Sequence, residues 1–318
     1  MQRARLKKTV ITLTALLALS GCDLLQTAPP VISPQPRPAK PVAAKIPEPS
    51  DESRQQSAYF GRLQADLLAQ DLLRQGGGGP DAPFDARNLA DNFIRIALFD
   101  EYVQVGGTLV ARATPSRLRR WEKPIRMEIE FGETVPLAQR KKDIASIANY
   151  TRRLSRLTGV PIRITKKDPN FHVLILNEDE RRKIGPHIRA VVPGIGNQAV
   201  DTIVNMPRDT LCLVYAFPES EGKDSYGQAI AVIRGEHPDL LRLSCFHEEL
   251  AQGMGLANDS PNARPSIFND DEEFGLLTTQ DEMMLKMLYD KRLTPGMTPA
   301  QARPIVEQIA KELMGGSV

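Results

Sequence analysis

The chain has 318 residues, of which 41% are hydrophobic and 25% are charged, and its formal net charge at pH 7 is +2. This length and apolar content suffice for a domain with a sizeable core. The near-neutral charge lacks the basic excess that is typical of proteins that bind nucleic acid, so we expect no such partner.

The first 21 residues have the pattern of a bacterial export signal. Four basic residues precede the ten-residue run Val10–Leu19, which is too short for a membrane-spanning helix of about 20 residues. The tetrapeptide L-S-G-C that ends at Cys22 resembles the lipobox of bacterial lipoproteins. Cleavage there would leave Cys22 as a lipidated N-terminus and would lower the net charge, by the four leader charges, from +2 to about −2.

The expected location is the bacterial cell envelope, with the protein anchored to the membrane by lipid and facing the periplasm. Asp23 resembles an inner-membrane retention signal of enteric lipoproteins, and the outer membrane is the alternative. Residues 22–50 then form a tether, because eight prolines lie between Thr27 and Ser50 and favour extended backbone.

Residues 51–80 are predicted to form a helix and a glycine-rich linker. Apolar residues recur at helical spacing across Asp51–Gln75, and four glycines and Pro80 end the pattern. Two interpretations remain open: an interaction helix that the glycines separate from the rest, or a helix packed on the following domain.

Residues 84–318 are predicted to form one α+β domain. Ile125–Phe131 alternates apolar and charged residues, as in a half-buried strand, and a long helix follows with Ile144, Ile147, Leu154 and Leu157 inward. In chain order, the predicted elements are a helix over Asp85–Tyr102, a strand over Ile125–Phe131, a helix over Pro136–Thr158, strands over Ile162–Thr165 and Phe171–Asn177, a helix over Asp179–Ala190, two further strands and a last helix that carries a motif.

The motif is E-E-L-A-Q-G-M-G-L-A-N-D, over Glu248–Asp259. It has the spacing of the zinc-peptidase helix H-E-x-x-H-x-x-G-x-x-H/D, in which residues four apart lie on one face and bind the ion together. By position, the candidates are Glu249 as general base, Glu248, Gln252 and Asn258 as the metal-ligand equivalents with Asp259 beside them, and Gly255 as the turn glycine.

Zinc gains little from a neutral amide, so a decayed zinc site is the expectation. The simpler alternative is that both glutamates merely suit the first turn of a helix that Ser244 caps.

Over about eighty residues from Leu211, the chain resembles the matrixin-like branch of the metzincin metallopeptidases. The segments L-C-L-V-Y-A-F-P, Q-A-I-A-V-I, the motif and L-T-T-Q-D-E-M-M-L-K-M-L-Y carry the resemblance. It implies a twisted, mixed five-stranded sheet, a long backing helix, a motif helix and C-terminal helices, with Ile267 and Phe268 near the position of the Met-turn and Asp281–Tyr289 in the closing helix.

The signature E-E-x-x-Q-x-x-G-L-x-N-D-S also resembles an uncharacterised family of exported bacterial proteins, a domain of unknown function.

Two cysteines remain if Cys22 carries lipid. An oxidising compartment favours a disulfide between Cys212 and Cys245, and the metzincin-like layout implies that their elements are neighbours. Such a bond closes a loop of about thirty residues and contributes about 3 kcal/mol by chain entropy. Two buried, reduced cysteines are the alternative.

Other metal or catalytic groups have weaker patterns. The four histidines share no ligand spacing, and His172 would complete a metal site only if the fold brought it to the motif. The acidic runs Asn258-Asp259 and Asn269–Glu272 suit either calcium or Asx turns. Glu249 and Asp259 would also serve as the carboxylate pair of a glycoside hydrolase.

The sequence thus favours an envelope lipoprotein that binds a peptide, protein or glycan without zinc catalysis and needs no cofactor. The alternatives are an active hydrolase that uses Glu249 with an unusual metal site, with zinc or calcium as the metal, and a purely structural lipoprotein.

Overall fold

The computed structural model describes residues 47–105, 108–269 and 271–315, with the backbone alone over 101–113. The predicted leader, Cys22, Asp23 and nearly all of the tether lie outside the described residues. In the described part of the chain, no helix combines the length and the apolar character needed to cross a bilayer.

The described chain is mixed α and β. Its helices are α1 (Asp51–Ala69), α2 (Ala86–Ala97), α3 (Leu137–Thr158), α4 (Glu178–Arg181), α5 (Gly185–Val191), α6 (Asn197–Val204), α7 (Asp239–Gln252), α8 (Thr279–Leu288) and α9 (Pro299–Leu313). Its strands are β1 (Phe99–Val105), β2 (Thr108–Pro115), β3 (Arg120–Trp121), β4 (Ile125–Phe131), β5 (Ile162–Ile164), β6 (Phe171–Leu176), β7 (Cys212–Pro218) and β8 (Ser225–Arg234).

The main sheet is mostly parallel. Its strands lie in the order β5-β4-β6-β8-β7, and only the edge strand β7 runs antiparallel to its neighbour. The two-residue β3 pairs with the beginning of β8. A separate hairpin consists of β1 and β2.

Each face of the sheet has its own apolar layer, as expected when both faces of a largely parallel sheet are covered. One face packs on α3, α7 and the C-terminal helices, through buried residues such as Val173 and Ile175 of β6 and Phe246 and Leu250 of α7. Because alternate residues of a strand point to opposite faces, Leu174 of β6 lies on the other face, which α5 and α6 cover.

Several predicted elements agree with the structure and some need correction. The strand at Ile125–Phe131 has its predicted bounds, and α3 begins one residue later than expected. The predicted helix Asp85–Tyr102 ends at Ala97, and β1 follows. Ile144 of α3 is 44% exposed, so its predicted inward position is wrong.

The helix α1 packs on the domain. It ends at Ala69, six residues before the predicted end. Phe60 is fully buried against His237, with the ring centroids 4.5 Å apart. Ser53 Oγ donates a hydrogen bond of 2.7 Å to Glu236 Oε1. These contacts favour the packed helix over the separate interaction helix.

Candidate functional site

The motif glutamates lie at the carboxyl end of α7. The helix begins at Asp239 after the N-cap Pro238 and ends at Gln252, so Glu248 and Glu249 belong to its last turn. Ser244 is a buried residue inside the helix, and the prediction that it caps the first turn is wrong. Acidic side chains are unfavourable at this end, because the helix dipole is negative there. Helix stability therefore does not account for the pair.

Glu248 and Glu249 lie beside the edge strand. Glu249 is 3% exposed and Glu248 is half-buried. One carboxylate oxygen of each and the sulfur of Cys212 lie within 4.8 Å of one another. The predicted disulfide joins Cys212 of β7 to Cys245 of α7, so this sulfur is not available as a thiolate ligand. The predicted disulfide, with Cys245 three and four residues before Glu248 and Glu249, is the sequence signal for this neighbourhood.

Gln252 occupies the position of the second metal ligand. Its side-chain amide donates hydrogen bonds to Asp259, with Nε2 at 3.2 Å from Oδ1 and 3.4 Å from Oδ2. An amide and a carboxylate, both half-buried, thus satisfy each other. Spacing alone could not predict this pair, because it depends on the path of the chain after the helix.

The chain turns at Gly255, as predicted for the motif glycine. The φ angle of this residue is +121. A Cβ at this position would lie 2.3 Å from the carbonyl oxygen of Arg119. Both the backbone angle and the lack of space therefore require glycine here.

Asn258, the third ligand equivalent, points elsewhere. It is 1% exposed, and its Nδ2 donates a hydrogen bond of 2.8 Å to the carbonyl oxygen of Arg95 in α2. Its backbone N–H donates to Ile96. The structure therefore brings Glu248 and Glu249 together and pairs Gln252 with Asp259, but assigns Asn258 to packing.

A buried turn lies at the predicted Met-turn position. Asp281 of α8 accepts hydrogen bonds from Ser266 Oγ at 2.6 Å, from the Ile267 N–H at 3.0 Å and from the Thr278 N–H at 2.8 Å. Burial raises the pKa of Asp281, although these donors favour its ionised form. Phe268 is fully buried, so the turn supports the core beside α7.

His247 and His172 do not reach Glu248 and Glu249. His247 stacks on Tyr150, with the ring centroids 4.1 Å apart, and its Nδ1 accepts a hydrogen bond of 3.1 Å from the Leu277 N–H. Burial lowers the pKa of His247 to about 3. His172 shares the sheet face of Leu174, opposite α7, so it does not complete a metal site at the motif.

The second acidic run forms a turn. Asn269 Oδ1 accepts a hydrogen bond of 3.0 Å from the Asp271 N–H, and Asp271 Oδ1 accepts one of 2.8 Å from the Glu273 N–H. Such Asx bonds satisfy the backbone locally. Asp270 lies outside the described residues.

Comparison with known proteins identifies one family. The family described as "Protein of unknown function (DUF2927)" matches residues 86–308, more than two thirds of the chain. No curated protein and no solved structure matches the chain.

Proposed function

The chain belongs to the DUF2927 family of proteins of unknown function, and on that premise we propose that it binds an extended peptide segment in a zincin-like cleft that no longer performs zinc catalysis. The cleft lies between the edge strand β7 and the carboxyl end of α7. The protein is an envelope lipoprotein anchored through Cys22.

The strand order supports the zincin-like part of this proposal. The chain passes through β4, α3, β5 and β6 and then through an insertion of three helices. An antiparallel edge strand, a central strand and α7 follow, before α8 and α9. This is the element order that the metzincin resemblance implies, and the insertion covers the face opposite α7.

The hydrogen bonds between Gln252 and Asp259 carry the proposal. An amide that donates to both oxygens of a carboxylate fills about two of its four lone-pair sites and leaves it a weaker ligand for a cation. With Glu248 in place of the first imidazole, the donor set is also poor for zinc, which prefers nitrogen and sulfur. The same groups provide a polar, acidic floor that suits the cationic or amide side chain of a ligand.

The edge strand supports a peptide as the ligand. In the described chain, β7 pairs on one side with β8, and no strand pairs with its other side. An extended segment can add to such an edge through backbone hydrogen bonds, while side-chain contacts provide specificity. The disulfide holds the first residue of β7 against α7, so the edge and the acidic floor are fixed relative to each other.

Selection from a random peptide library on the immobilised protein tests the proposal. We expect the selected peptides to carry lysine or arginine and to bind Glu248→Gln about tenfold more weakly, since a charge-assisted hydrogen bond contributes about 1.5–3 kcal/mol. Glu133→Gln is the matched control, because Glu133 is exposed and lies outside the cleft. Equal affinity of both variants would contradict the proposal.

The same library distinguishes the other functions. Cleavage of peptides by the wild type, abolished in Glu249→Gln at unchanged melting temperature, would establish the hydrolase instead. Binding of glycan fragments but not of peptides would show that the ligand is a glycan. If the protein neither bound nor cleaved any peptide, the purely structural lipoprotein would be the remaining function.

The anchor needs its own measurement. We expect the protein to partition with membranes in the expressing bacterium and the variant Cys22→Ala to remain unprocessed or to appear in the soluble fraction. Identical processing and identical fractionation of both would contradict the lipid anchor.

A further inference from the structure

A second cluster of potential ligands lies on the sheet face opposite α7. Glu128 and Glu130 of β4 and His172 of β6 each offer a donor atom, and these atoms lie within 4.8 Å of one another. Glu128 and His172 are direct neighbours across the parallel strands. Because they belong to central strands, the backbone fixes their spacing.

A second imidazole reaches the cluster from α5. His187 Nε2 lies 2.8 Å from Glu130 Oε2, while His172 Nδ1 lies 3.4 Å from Glu130 Oε1. The two histidines therefore flank the two oxygens of one carboxylate. They come from different elements, separated by α4 along the chain, so the fold and not local sequence brings them together.

The contact between His187 and Glu130 closes one side of the cluster. His187 Nε2 is shielded from solvent, and its close neighbour is Glu130 Oε2. A cation at this point would be bound by the ring nitrogen and the carboxylate oxygen together.

The imidazole of His172 is the deepest group of the cluster. It is 2% exposed, and its Nδ1 lies 3.4 Å from Glu130 Oε1. Arg126 precedes Glu128 on the same face of β4. Its guanidinium lies 3.1 Å from the carboxylate of Asp168, so its charge is paired outside the cluster.

We infer that Glu128, Glu130 and His172, with His187 beside Glu130 as the fourth donor, form a binding site for a divalent transition metal of the zinc type. Two imidazole nitrogens and two carboxylate oxygens are a donor set that zinc accepts. Ligand atoms about 2.0–2.2 Å from a tetrahedral zinc lie about 3.3–3.6 Å apart. The 3.4 Å contact has that spacing, and a bound metal would widen the 2.8 Å contact of His187.

The site would fasten α5 to the sheet. His187 is the second residue after Gly185, where α5 begins, and Ile188 beside it is fully buried in the apolar layer on this face. A metal held by β4, β6 and α5 would thus cross-link the insertion to the sheet. This site is independent of the motif helix and of the peptide proposal.

The test uses the protein without a histidine tag, dialysed against chelator and titrated with zinc chloride in a calorimeter. We expect one zinc per chain and a melting temperature that rises with zinc. Glu130→Gln and His187→Ala should each weaken zinc affinity by about tenfold or more. Magnesium and calcium, which prefer oxygen ligands, should not compete.

Two control variants locate the site. Glu249→Gln alters the motif helix and Glu133→Gln removes an exposed charge near β4, and both should bind zinc like the wild type. Melting in chelator checks that the Glu130 and His187 variants fold. The inference is overturned if the wild type binds no zinc, if folded Glu130→Gln and His187→Ala retain full affinity, or if Glu249→Gln loses it.

Discussion

The side chain of Gln252 donates to both carboxylate oxygens of Asp259, at 3.2 and 3.4 Å. The amide is the last residue of α7, and the carboxylate follows the reversal at Gly255. The two therefore lie face to face although they are seven positions apart in the sequence. Asn258, one residue earlier, is turned toward α2.

This arrangement predicts which substitutions would create a metal site at the motif. In a His187→Ala background, Glu248→His, Gln252→His and Asp259→His together should add zinc binding, because imidazoles replace groups that already lie on one side of α7. The same set with Asn258→His in place of Asp259→His should not, because Asn258 is buried against Arg95. Zinc titration compares the two; equal binding would contradict the assigned orientation.

The disulfide should contribute strongly to stability. Replacing both Cys212 and Cys245 by serine is expected to lower the free energy of unfolding by about 3–4 kcal/mol, because the bond closes a loop of sequence separation 33. Guanidinium titration of the oxidised wild type and of the double variant measures the difference. Alkylation of the denatured wild type without reductant should label neither cysteine; labelling of both would show that the thiols are free.

His247 should make folding depend on pH. Its pKa is lowered to about 3 by burial, whereas an unfolded histidine titrates near 6.5. Between these values the unfolded chain binds one more proton than the folded chain, so stability falls as the pH falls. The expected slope is about 1.4 kcal/mol per pH unit.

Other buried groups titrate in the same interval, and the pKa of His237 is also lowered well below its usual value by burial. The wild type should therefore be compared with His247→Gln at pH 6.5, 5.5 and 4.5. The difference in unfolding free energy between the two should shrink as the pH falls. A constant difference would mean that the pKa of His247 is the same in the folded and the unfolded chain.

Asp281 should be essential to the turn beneath α7. Its carboxylate accepts bonds from Ser266, Ile267 and Thr278, so Asp281→Ala leaves several buried donors without a partner. We expect a loss of about 3–5 kcal/mol. Thermal melting of Asp281→Ala against the exposed control Glu133→Gln measures it, and a change below about 1 kcal/mol would exclude this role.

Phe60 should hold α1 on the domain. It is fully buried against His237, and Phe60→Ala should cost about 3–5 kcal/mol. If α1 detaches locally, limited proteolysis should cut near residues 70–82 before the remainder unfolds. Leu68→Ala is the control, since Leu68 on the same helix is 45% exposed; similar cleavage of both variants would contradict the packing.

Periodicity predicted the elements whose pattern was unambiguous. Ile125–Phe131 alternates strictly and is β4, and the long apolar repeat before Gly159 is α3. The predicted helix Asp85–Tyr102 includes Phe99–Tyr102, which belong to β1, because Phe99 and Tyr102 extend the helical spacing of α2. The glycine pair at 106 and 107 followed by Thr108–Pro115 was the available signal for a hairpin.

The candidate site was predictable only in part. The motif spacing identified Glu248, Glu249 and Gln252, but the position of α7 along the chain decided their environment. Pro238 before Asp239 indicates the true helix start, and this makes the glutamates C-terminal. The pairing with Asp259 arises from tertiary packing, which spacing does not encode.

The contacts of α1 have a mechanical consequence. The chain enters the described domain through Ser50, whose N–H donates to Asp179, and continues into a helix tied down by Ser53 and Phe60. Any tension applied from the N-terminal side would reach α1 before it reached the sheet. Release of that helix would lengthen the link to whatever holds the N-terminus, while β7 and α7, joined by their disulfide, kept their arrangement.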